Sequence, residues 1–422
     1  MSSDSPTDKP RNDETSRPRD HDSYASLRVP NFRRLILAYG TSTVAREAQI
    51  VVVGWQVYEQ TRDPLALGLI GLAEALPFIA IALYAGHVAD RTNRKVIALA
   101  GTFGLLLSAV ALWAFTIFHV RQVWPIYLVI FLSGIGRSFT RPAVTALSAE
   151  LTPRELYSNA VAWRSSTWQF AAVFGPAAGG LLYGFAGAAF AYGTVCVFMA
   201  ASIVAMASIR HPARPAITEE MTVGESLRMG LRFVWNEPVV LSAMTLDLFA
   251  VLFGGAVALL PIFARMLGAG PEGLGILRSA PAIGSFFTGV YLAHRPPFRR
   301  AGVTLFVSVA AFGVCIIAFA LSRNFYLSLA ILTLSGVADQ VSVVIRGTLI
   351  QTITPDNLLG RVSAVNQIFI GSSNEIGAFE SGVAARLLGT VPSVIFGGAM
   401  TLVVVAIVAL SSPRLRKLRE LQ

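Results

Sequence analysis

Charged residues are scarce in this chain. They make up 14% of its 422 residues, against about 25% in soluble domains. Hydrophobic residues make up 54%, and the mean hydropathy is +0.61. So few charges on so apolar a chain predict a polytopic membrane protein rather than a soluble domain.

Cysteine and histidine are also rare. Cys196 and Cys315 each lie in an apolar run, which predicts small buried side chains rather than a disulfide or a metal site. The five histidines lie near loops or in the N-terminal tail and form no ligand set. The sequence also lacks a nucleophile elbow, a phosphate-binding loop and a nucleotide-binding motif. We therefore expect neither an enzyme nor a primary ATP-driven transporter, and no metal or other cofactor.

The basic excess lies in short loops. Lys and Arg number 34 against 24 Asp and Glu, which gives a net charge of +10. Because these cations flank apolar runs, they are interpreted as topology signals rather than as a nucleic-acid-binding surface. Most of them lie in loops on the side of the two termini, so the positive-inside rule predicts cytoplasmic termini.

Apolar runs long enough to cross a bilayer recur along the chain. A helix needs about 20 mainly apolar residues for one crossing, and turn residues and charges separate the runs. The prediction is an all-α membrane protein with twelve transmembrane helices, at residues 34–58, 66–86, 96–118, 124–149, 159–184, 187–209, 238–264, 273–293, 302–321, 325–349, 362–387 and 391–411.

The turn between the second and third spans carries the most informative motif. Residues 86–95 read Gly-His-Val-Ala-Asp-Arg-Thr-Asn-Arg-Lys, and so many charges cannot lie in hydrocarbon. The motif resembles the loop signature of the major facilitator superfamily, with matches at Gly86, Asp90, Arg91, Arg94 and Lys95. The resemblance implies a transporter built from two pseudo-symmetric six-helix bundles. A basic membrane-surface loop without further function is the alternative.

An internal repeat supports two related halves. Residues 151–156, Leu-Thr-Pro-Arg-Glu-Leu, recur 202 positions later as Ile-Thr-Pro-Asp-Asn-Leu. The same offset places Gly134 on Gly336 and Gly175 on Gly377. Parallel halves related by an axis along the membrane normal are one arrangement that transporters use.

The predicted domain organisation has five parts. Low hydrophobicity predicts disorder at the N-terminus, and a helix with an apolar and a basic face is expected between the bundles. The parts are a disordered cytoplasmic tail (1–30), an N-terminal bundle (31–210), a cytoplasmic linker with an amphipathic helix (211–237), a C-terminal bundle (238–413) and a basic cytoplasmic tail (414–422).

The resemblance also implies that the 86–95 turn is a conformational latch. Asp90 is expected at the N-terminal end of span eleven, where the helix dipole favours negative charge. Arg94 is expected to bridge Asp90 to Glu150 at the end of span four. The equivalent turn of the second half, residues 294–300, has cations but no carboxylate. We therefore expect the first turn to perform the switching.

Span five contains a second motif. Gly175-Pro176-Ala-Ala-Gly179-Gly180 is similar to the antiporter signature Gly-Pro-x-x-Gly-Gly of the same superfamily, with Ala171 where the longer form has glycine. A Gly-Pro step interrupts the helical hydrogen bonds, and small residues four apart allow close helix approach. The resemblance favours export against protons, and helix packing alone is the alternative.

Charges within the spans are candidates for contacts with cargo or protons, because each costs about 2.5–3.5 kcal/mol at mid-bilayer. The resemblance implies that spans one, four, seven and ten line the cavity. The candidates are Arg46, Glu47, Glu74, Arg137, Arg141, Asp247 and Asp339, with Trp163 as an aromatic contact. Glu47 and Asp339 are the predicted proton carriers, and the two arginines of span four suit an anionic substrate. Structural ion pairs are the alternative.

Further residues resemble the enterobactin-exporter branch of the superfamily. They are residues 31–35, Asn-Phe-Arg-Arg-Leu, and the stretch 55–77, whereas Arg46-Glu47 departs from that branch. The resemblance implies a monomer in the bacterial inner membrane that exports a siderophore or a drug-like molecule, driven by the proton gradient. Its partners would be a small-molecule substrate and the lipid bilayer, with no nucleic acid. A proton-coupled importer of a small organic solute and a non-transporting membrane sensor remain alternatives.

Overall fold

The computed structural model describes residues 22–210, 223–296 and 298–418, apart from the side chains at 82, 83, 85–87, 89–91 and 223. All regular secondary structure in this part of the chain is helical. The first half contains α1 Pro30–Thr61, α2 Pro64–Arg91, α3 Arg94–Ile117, α4 Trp124–Leu151 and α5 Tyr157–Ala207. The second half contains α6 Val223–Asn236, α7 Pro238–Phe253, α8 Leu260–Met266, α9 Pro271–Ala293, α10 Ala301–Leu321, α11 Phe325–Ile353, α12 Asp356–Leu388, α13 Thr390–Ser411 and α14 Pro413–Arg416.

Prolines and capping side chains determine where several helices begin. Proline lies in the first turn of α1 and α2, where it removes an N–H that has no helical partner. Asp63 Oδ1 accepts a hydrogen bond from the Leu65 N–H at 3.0 Å. Asn93 Oδ1 accepts one from the Lys95 N–H at 3.0 Å, which starts α3. Such caps stabilise a helix end by about 1 kcal/mol.

Glycines divide two of the helical segments. Gly187 has a φ of 81° within α5, a conformation that side chains with a Cβ rarely adopt. The predicted boundary between spans five and six lies at this break. The predicted seventh span is interrupted after Phe253, and a 3₁₀ turn, Ala256–Leu259, joins α7 to α8. Gly255 packs against the Gly377 carbonyl there, where a Cβ would lie 3.1 Å from the oxygen.

Seven segments of the described chain are each long and apolar enough to cross a membrane. One of them, Arg154–Ala207, has 54 residues, enough for two crossings. The helices α1, α4, α9 and α12 fall outside this set, and each carries charged residues along its length. The arrangement is consistent with the twelve predicted spans.

The repeat glycines make equivalent contacts in the two halves. Gly134 of α4 packs against α2, and Gly336 of α11 packs against α9. Gly175 of α5 packs against α1, and Gly377 of α12 packs against α7. A Cβ at any of these glycines would meet an atom of the partner helix closer than real contacts allow. The two halves are therefore folded alike, as the repeat predicts.

Two close crossings join the bundles, and both lie in the helix halves distant from the termini. At the α2–α12 crossing, a Cβ at Gly68 would lie 2.9 Å from Gly382 Cα. At the α5–α9 crossing, a Cβ at Gly180 would lie 2.8 Å from Gly275 Cα. Gly180 and Gly382 are again 202 positions apart, so the crossings are related by the same pseudo-symmetry.

Towards the termini, α4 and α12 leave space between the bundles. Arg141, Thr145 and Ala149 are exposed on one face of α4, since residues four apart share a face. Arg141 reaches Gln367 of α12, so this face is directed at the other bundle. We call the space lined by these four residues the inter-bundle gap.

Three segments outside the predicted bundles are packed against them. Ser26, in the predicted tail, donates its N–H and its hydroxyl to Asn159 Oδ1 of α5, at 3.1 and 2.5 Å. Leu415 of α14 is buried in the C-terminal bundle. In α6, Val234 is buried against the ends of α11 and α12. The composition of these segments did not predict that packing. Residues 1–21, 211–222 and 419–422 of the same segments lie outside the described chain.

Candidate functional site

Charged side chains of α1, α2 and α4 meet in the N-terminal bundle. Arg46 donates to Glu47 Oε1 at 3.0 Å and to Glu74 Oε1 at 3.1 Å. Arg137 donates to the same oxygen of Glu74. The four side chains are between 15% and 27% exposed, so water reaches them only in part. Glu74 is therefore the shared acceptor on which both arginines depend.

Arg137 also contacts the other bundle. Its Nη1 donates to Glu375 Oε1 of α12 at 3.3 Å. Backbone contact between the helices explains this, because a Cβ at Gly71 of α2 would lie 2.9 Å from the Glu375 carbonyl oxygen. We call Arg46, Glu47, Glu74, Arg137 and Glu375 the central network.

Glu375, in the predicted span eleven, is not among the residues that the sequence analysis selected. Spans one, four, seven and ten were expected to line the cavity, whereas Glu375 lies on α12, which corresponds to span eleven. Its position in mid-span could have indicated a function, because a carboxylate within the membrane is energetically unfavourable unless it has a partner.

Arg278 of α9 adds a third cation beside the central network. It is half-buried and interacts electrostatically with Glu47, Glu74 and Glu375. Within the described residues it forms no hydrogen bond and no ion pair. Three arginines then face three glutamates, so this region is close to electrically neutral.

Arg141 and Arg164 form a different group, nearer the termini. Arg141 Nη2 donates to Gln367 Oε1 at 2.9 Å. Arg164 of α5 and Tyr39 of α1 both interact electrostatically with Arg141. Among residues 22–210, 223–296 and 298–418, no carboxylate lies within 4 Å of either arginine. This group therefore has an excess of positive charge.

A third charged cluster lies inside the C-terminal bundle. Asp247 of α7 forms an ion pair with Arg346 of α11, and both residues are buried, with 7% and 4% exposed. Asp339 of α11 interacts electrostatically with both. In the described part of the chain Asp339 has no hydrogen bond and no ion pair of its own. Two carboxyl groups thus share one arginine.

The 86–95 turn is held to the N-terminal bundle by its cations. Arg94 Nη1 donates to Glu150 Oε2 at 3.4 Å. Lys95 Nζ donates to the carbonyl oxygens of Ala207 and Ile209 at 2.9 and 2.6 Å. Lys95 therefore caps the end of α5, where carbonyls lack helical partners and a cation is favoured. The backbone of Gly86, Asp90 and Arg91 continues α2 into the predicted turn, and the side chains at these positions lie outside the described part of the chain.

The Gly-Pro motif packs α5 against two neighbours at once. A Cβ at Gly175 would lie 2.6 Å from Glu47 Cβ, and one at Gly179 would lie 2.7 Å from Ala48 Cα, both on α1. Gly180 faces α9 of the other bundle, and the Pro176 carbonyl lies against Gly275. The motif therefore positions Glu47 and also forms one of the inter-bundle crossings.

Trp163 lies at the start of α5, beside the N-terminal segment. Its Nε1 donates to the Ser23 carbonyl at 3.0 Å, and its ring lies 5.6 Å from that of Tyr24. Of the predicted cavity residues, the structure brings together Arg46, Glu47, Glu74 and Arg137. Arg141 lies nearer the termini, and Asp247 and Asp339 lie in the C-terminal bundle. The described residues contain no group of three His, Cys, Asp or Glu that would hold a metal.

Comparisons with known proteins give a consistent result. A family model described as transmembrane secretion effector matches residues 21–422. The enterobactin exporter EntS of Shigella boydii serotype 18 is 27% identical over 398 residues, which cover 93% of this chain and 94% of that protein. The enterobactin exporter EntS of Escherichia coli (strain SE11) matches with the same identity and coverage.

Solved structures show the same fold. A bacterial homologue of the human lysosomal transporter Spinster, in an inward-facing and unoccupied conformation, matches with a TM-score of 0.70 and 14% identity, over 92% of this chain and 97% of that one. The nucleoside transporter NupG matches with a TM-score of 0.71 and 10% identity, over 90% and 99%. With a family match over nearly its whole length and a transporter fold, the chain belongs to the transmembrane secretion effector family, within the major facilitator superfamily of membrane transporters.

Proposed function

We propose that this protein exports a small amphipathic molecule, siderophore or drug-like, in exchange for protons and by alternating access. Family membership makes it a membrane transporter. The name enterobactin exporter, carried by relatives at 27% identity, supports efflux. The Gly-Pro motif of α5 supports the same direction of transport.

Alternating access requires contacts between the bundles that form on one side while they break on the other. The crossings at Gly68–Gly382 and Gly180–Gly275 hold the bundles together away from the termini. The inter-bundle gap is open on the other side. Arg137–Glu375 joins the bundles between these regions, and Arg141–Gln367 joins them across the inter-bundle gap. A rocking motion would rearrange both contacts.

The position of Asp339 is the observation that best supports proton coupling. It lies beside the buried Asp247–Arg346 pair and has no ion pair of its own among the described residues. One bound proton would leave this cluster neutral, and its release would leave one negative charge. Glu47, the other predicted proton carrier, is already paired with Arg46 at 3.0 Å. We therefore assign the exchangeable proton to Asp339.

The proposed setting is the bacterial cytoplasmic membrane, with both termini in the cytoplasm and the protein acting as a monomer. The proton gradient would be the energy source, without a cofactor. The concentration of Lys and Arg in loops on the side of the termini supports this orientation. The inter-bundle gap would then open to the cytoplasm, where an exporter collects its cargo.

The test uses everted membrane vesicles from cells that overproduce the protein, energised so that their interior is acid. Enterobactin, ethidium and a panel of drug-like compounds are added outside, and a pH-sensitive dye reports the internal pH. A proton-coupled exporter releases internal protons when its cargo enters. Asp339→Asn should abolish this release, and Glu155→Gln, at an exposed turn residue, should preserve it.

Accumulation in intact cells checks the direction of transport. Deletion of the gene should raise the cellular content of the exported compound. Lower accumulation of every compound after deletion would indicate an importer. No proton release and no change in accumulation with any compound would favour a non-transporting sensor and contradict the proposal.

A further inference from the structure

Among the described residues, Arg141, at the inter-bundle gap, and Arg164 of α5 lack the carboxylate partners that several arginines within the bundles have. Arg46, Arg137 and Arg346 each form an ion pair with a carboxylate. Arg141 and Arg164 form none within the described residues. Arg141 and Arg164 act on each other as like charges, and no described carboxylate offsets their repulsion. An anion bound beside them would supply the missing counter-charge.

Both arginines have donors to spare. A guanidinium carries five N–H donors in a planar fork that matches the two oxygens of a carboxylate. Arg141 uses one donor on Gln367. Arg164 makes no hydrogen bond within the described residues. The pair is thus equipped to bind an oxyanion without breaking any contact of the central network.

The packing of α1 against α5 brings these groups to one place. Gly40 of α1 lies against Thr167, where a Cβ would be 3.1 Å from the threonine methyl. Arg164 is one turn before Thr167, and Tyr39 directly precedes Gly40. Tyr39 interacts electrostatically with both Arg164 and Arg141. Its half-buried ring supplies a hydroxyl donor and an apolar face beside the two cations.

The surroundings reinforce the positive charge and leave the site accessible. Arg46 and Arg137 also act on Arg141 as neighbouring cations. Arg141 is exposed on the face of α4 that lines the inter-bundle gap. Trp168 is one turn beyond Arg164 on α5 and is 48% exposed, which adds an aromatic flank. An anion attached to an apolar or aromatic body fits this combination.

We propose that Arg141 and Arg164, with Tyr39 between them, bind the oxyanion group of an aromatic or apolar cargo, such as a carboxylate or a phenolate. The inference rests on the proposed function in one respect, that the ligand is cargo. Binding itself requires neither transport nor a proton gradient. The site lies on the N-terminal bundle, so closure of the inter-bundle gap would enclose the anion against Gln367.

The experiment measures binding to the full-length protein in nanodiscs of neutral phosphatidylcholine. The probes are 2-hydroxybenzoate and its neutral analogue 2-hydroxybenzamide, titrated with tryptophan fluorescence and isothermal calorimetry as readouts. We expect the anion to bind and the amide to bind about tenfold more weakly or not at all. Arg141→Gln and Arg164→Gln should each weaken anion binding about tenfold or more.

Matched variants separate binding from folding and from coupling. Arg141→Lys and Arg164→Lys keep the charge and should recover part of the affinity, because lysine lacks the planar fork. Arg121→Gln, at an exposed loop residue on the opposite side, should bind as the unmodified protein does. Asp339→Asn should also bind the anion normally. If the unmodified protein binds the anion but exports no compound, that result contradicts the proposed function and leaves the binding site in place.

A lipid headgroup is the other source of an oxyanion. The titration is repeated in nanodiscs of phosphatidylglycerol. If 2-hydroxybenzoate no longer binds there, the lipid headgroup occupies the site and the cargo assignment is overturned. Equal affinity for the anion and the amide, or unchanged affinity in both glutamine variants, would also overturn the proposal. Absence of any anion binding by the unmodified protein would do the same.

Discussion

The two bundles share a fold, but the charged clusters inside them differ in the sign of their unpaired charge. In the N-terminal bundle, Arg141 and Arg164 have no carboxylate within 4 Å among the described residues. In the C-terminal bundle, Asp247 and Asp339 share Arg346. The central network between them is nearly balanced. The difference suggests a division of labour, with cargo bound by one bundle, the proton by the other, and the network joining them.

The turns that follow the second helix of each half also differ in the contacts that hold them. The first is fastened by Arg94 to Glu150 and by Lys95 to the end of α5. In the second, Arg295 lies over the Tyr291 ring at 4.9 Å, and residues 294–300 include no carboxylate. Within the described residues, the first turn ties neighbouring helices together through an ion pair and a cap, and the second turn has no such ion pair.

Removal of the shared acceptor should have the largest effect. Glu74→Gln removes the carboxylate that joins Arg46 to Arg137 and leaves them only Glu47 and Glu375. We expect loss of transport together with a fall of about 3–5 kcal/mol in the free energy of unfolding. Transport in vesicles and thermal unfolding in detergent measure the two effects. Glu155→Gln is the control, and unchanged stability of Glu74→Gln would show that the network is not a structural unit.

The two acids of the C-terminal cluster should respond differently. Asp247→Asn leaves Arg346 without its partner and should lower the free energy of unfolding by about 3–5 kcal/mol. Asp339→Asn removes no ion pair and should change it by less than about 1 kcal/mol. Thermal unfolding of both variants under one condition checks this. Equal destabilisation would mean that the Asp339 side chain stabilises the fold rather than being available to exchange a proton.

Added volume at an inter-bundle crossing should disturb the relation between the bundles. In Gly180→Ala the new Cβ meets the backbone of α9, and overpacking costs about 1–3 kcal/mol. Gly104→Ala is the matched control, because nothing lies within 4 Å of a Cβ there. Spin labels at Ala186→Cys and Arg323→Cys, on the two bundles, should report a longer distance in Gly180→Ala only. The same distance in both glycine variants would show that the crossing tolerates the Cβ.

The smallest effect is expected at the turns. Lys95→Gln loses a charged cap on the last carbonyls of α5 and should lower the free energy of unfolding by about 0.5–1 kcal/mol. Arg295→Gln, in the second turn, should leave it within about 0.5 kcal/mol. Denaturant titration of both variants measures the difference. Equal values would remove the asymmetry between the two turns.

Much of the fold follows from the apolar runs. The predicted span 96–118 corresponds to Arg94–Ile117, and 362–387 lies within Asp356–Leu388. Observed helices often extend past the predicted ends, because hydropathy detects only the part that needs an apolar surrounding. The repeat also predicts which glycines make equivalent contacts. The break after Phe253 was not predicted, since a glycine pair in an apolar run does not show whether the helix continues.

The site was harder to predict, because partners depend on distances that sequence does not contain. Charges in mid-span identified Arg46, Glu74 and Arg137, yet their pairing through one oxygen of Glu74 emerges only from the helix packing. Glu375 was not selected because its helix was not expected at the cavity. Trp163 was selected for its ring, but the N-terminal segment contacts that ring.

Kinetics of proton-driven transport in proteoliposomes test the division of labour most directly, with Asp339→Asn and Arg141→Gln compared in the same assay. The account predicts that Asp339→Asn loses the response to the pH gradient while the apparent affinity for cargo is unchanged. It predicts that Arg141→Gln raises KM about tenfold or more and keeps the response to the gradient. If both variants change the same parameter, or if Asp339→Asn still responds to the gradient, the assignment of cargo and proton to different bundles is wrong.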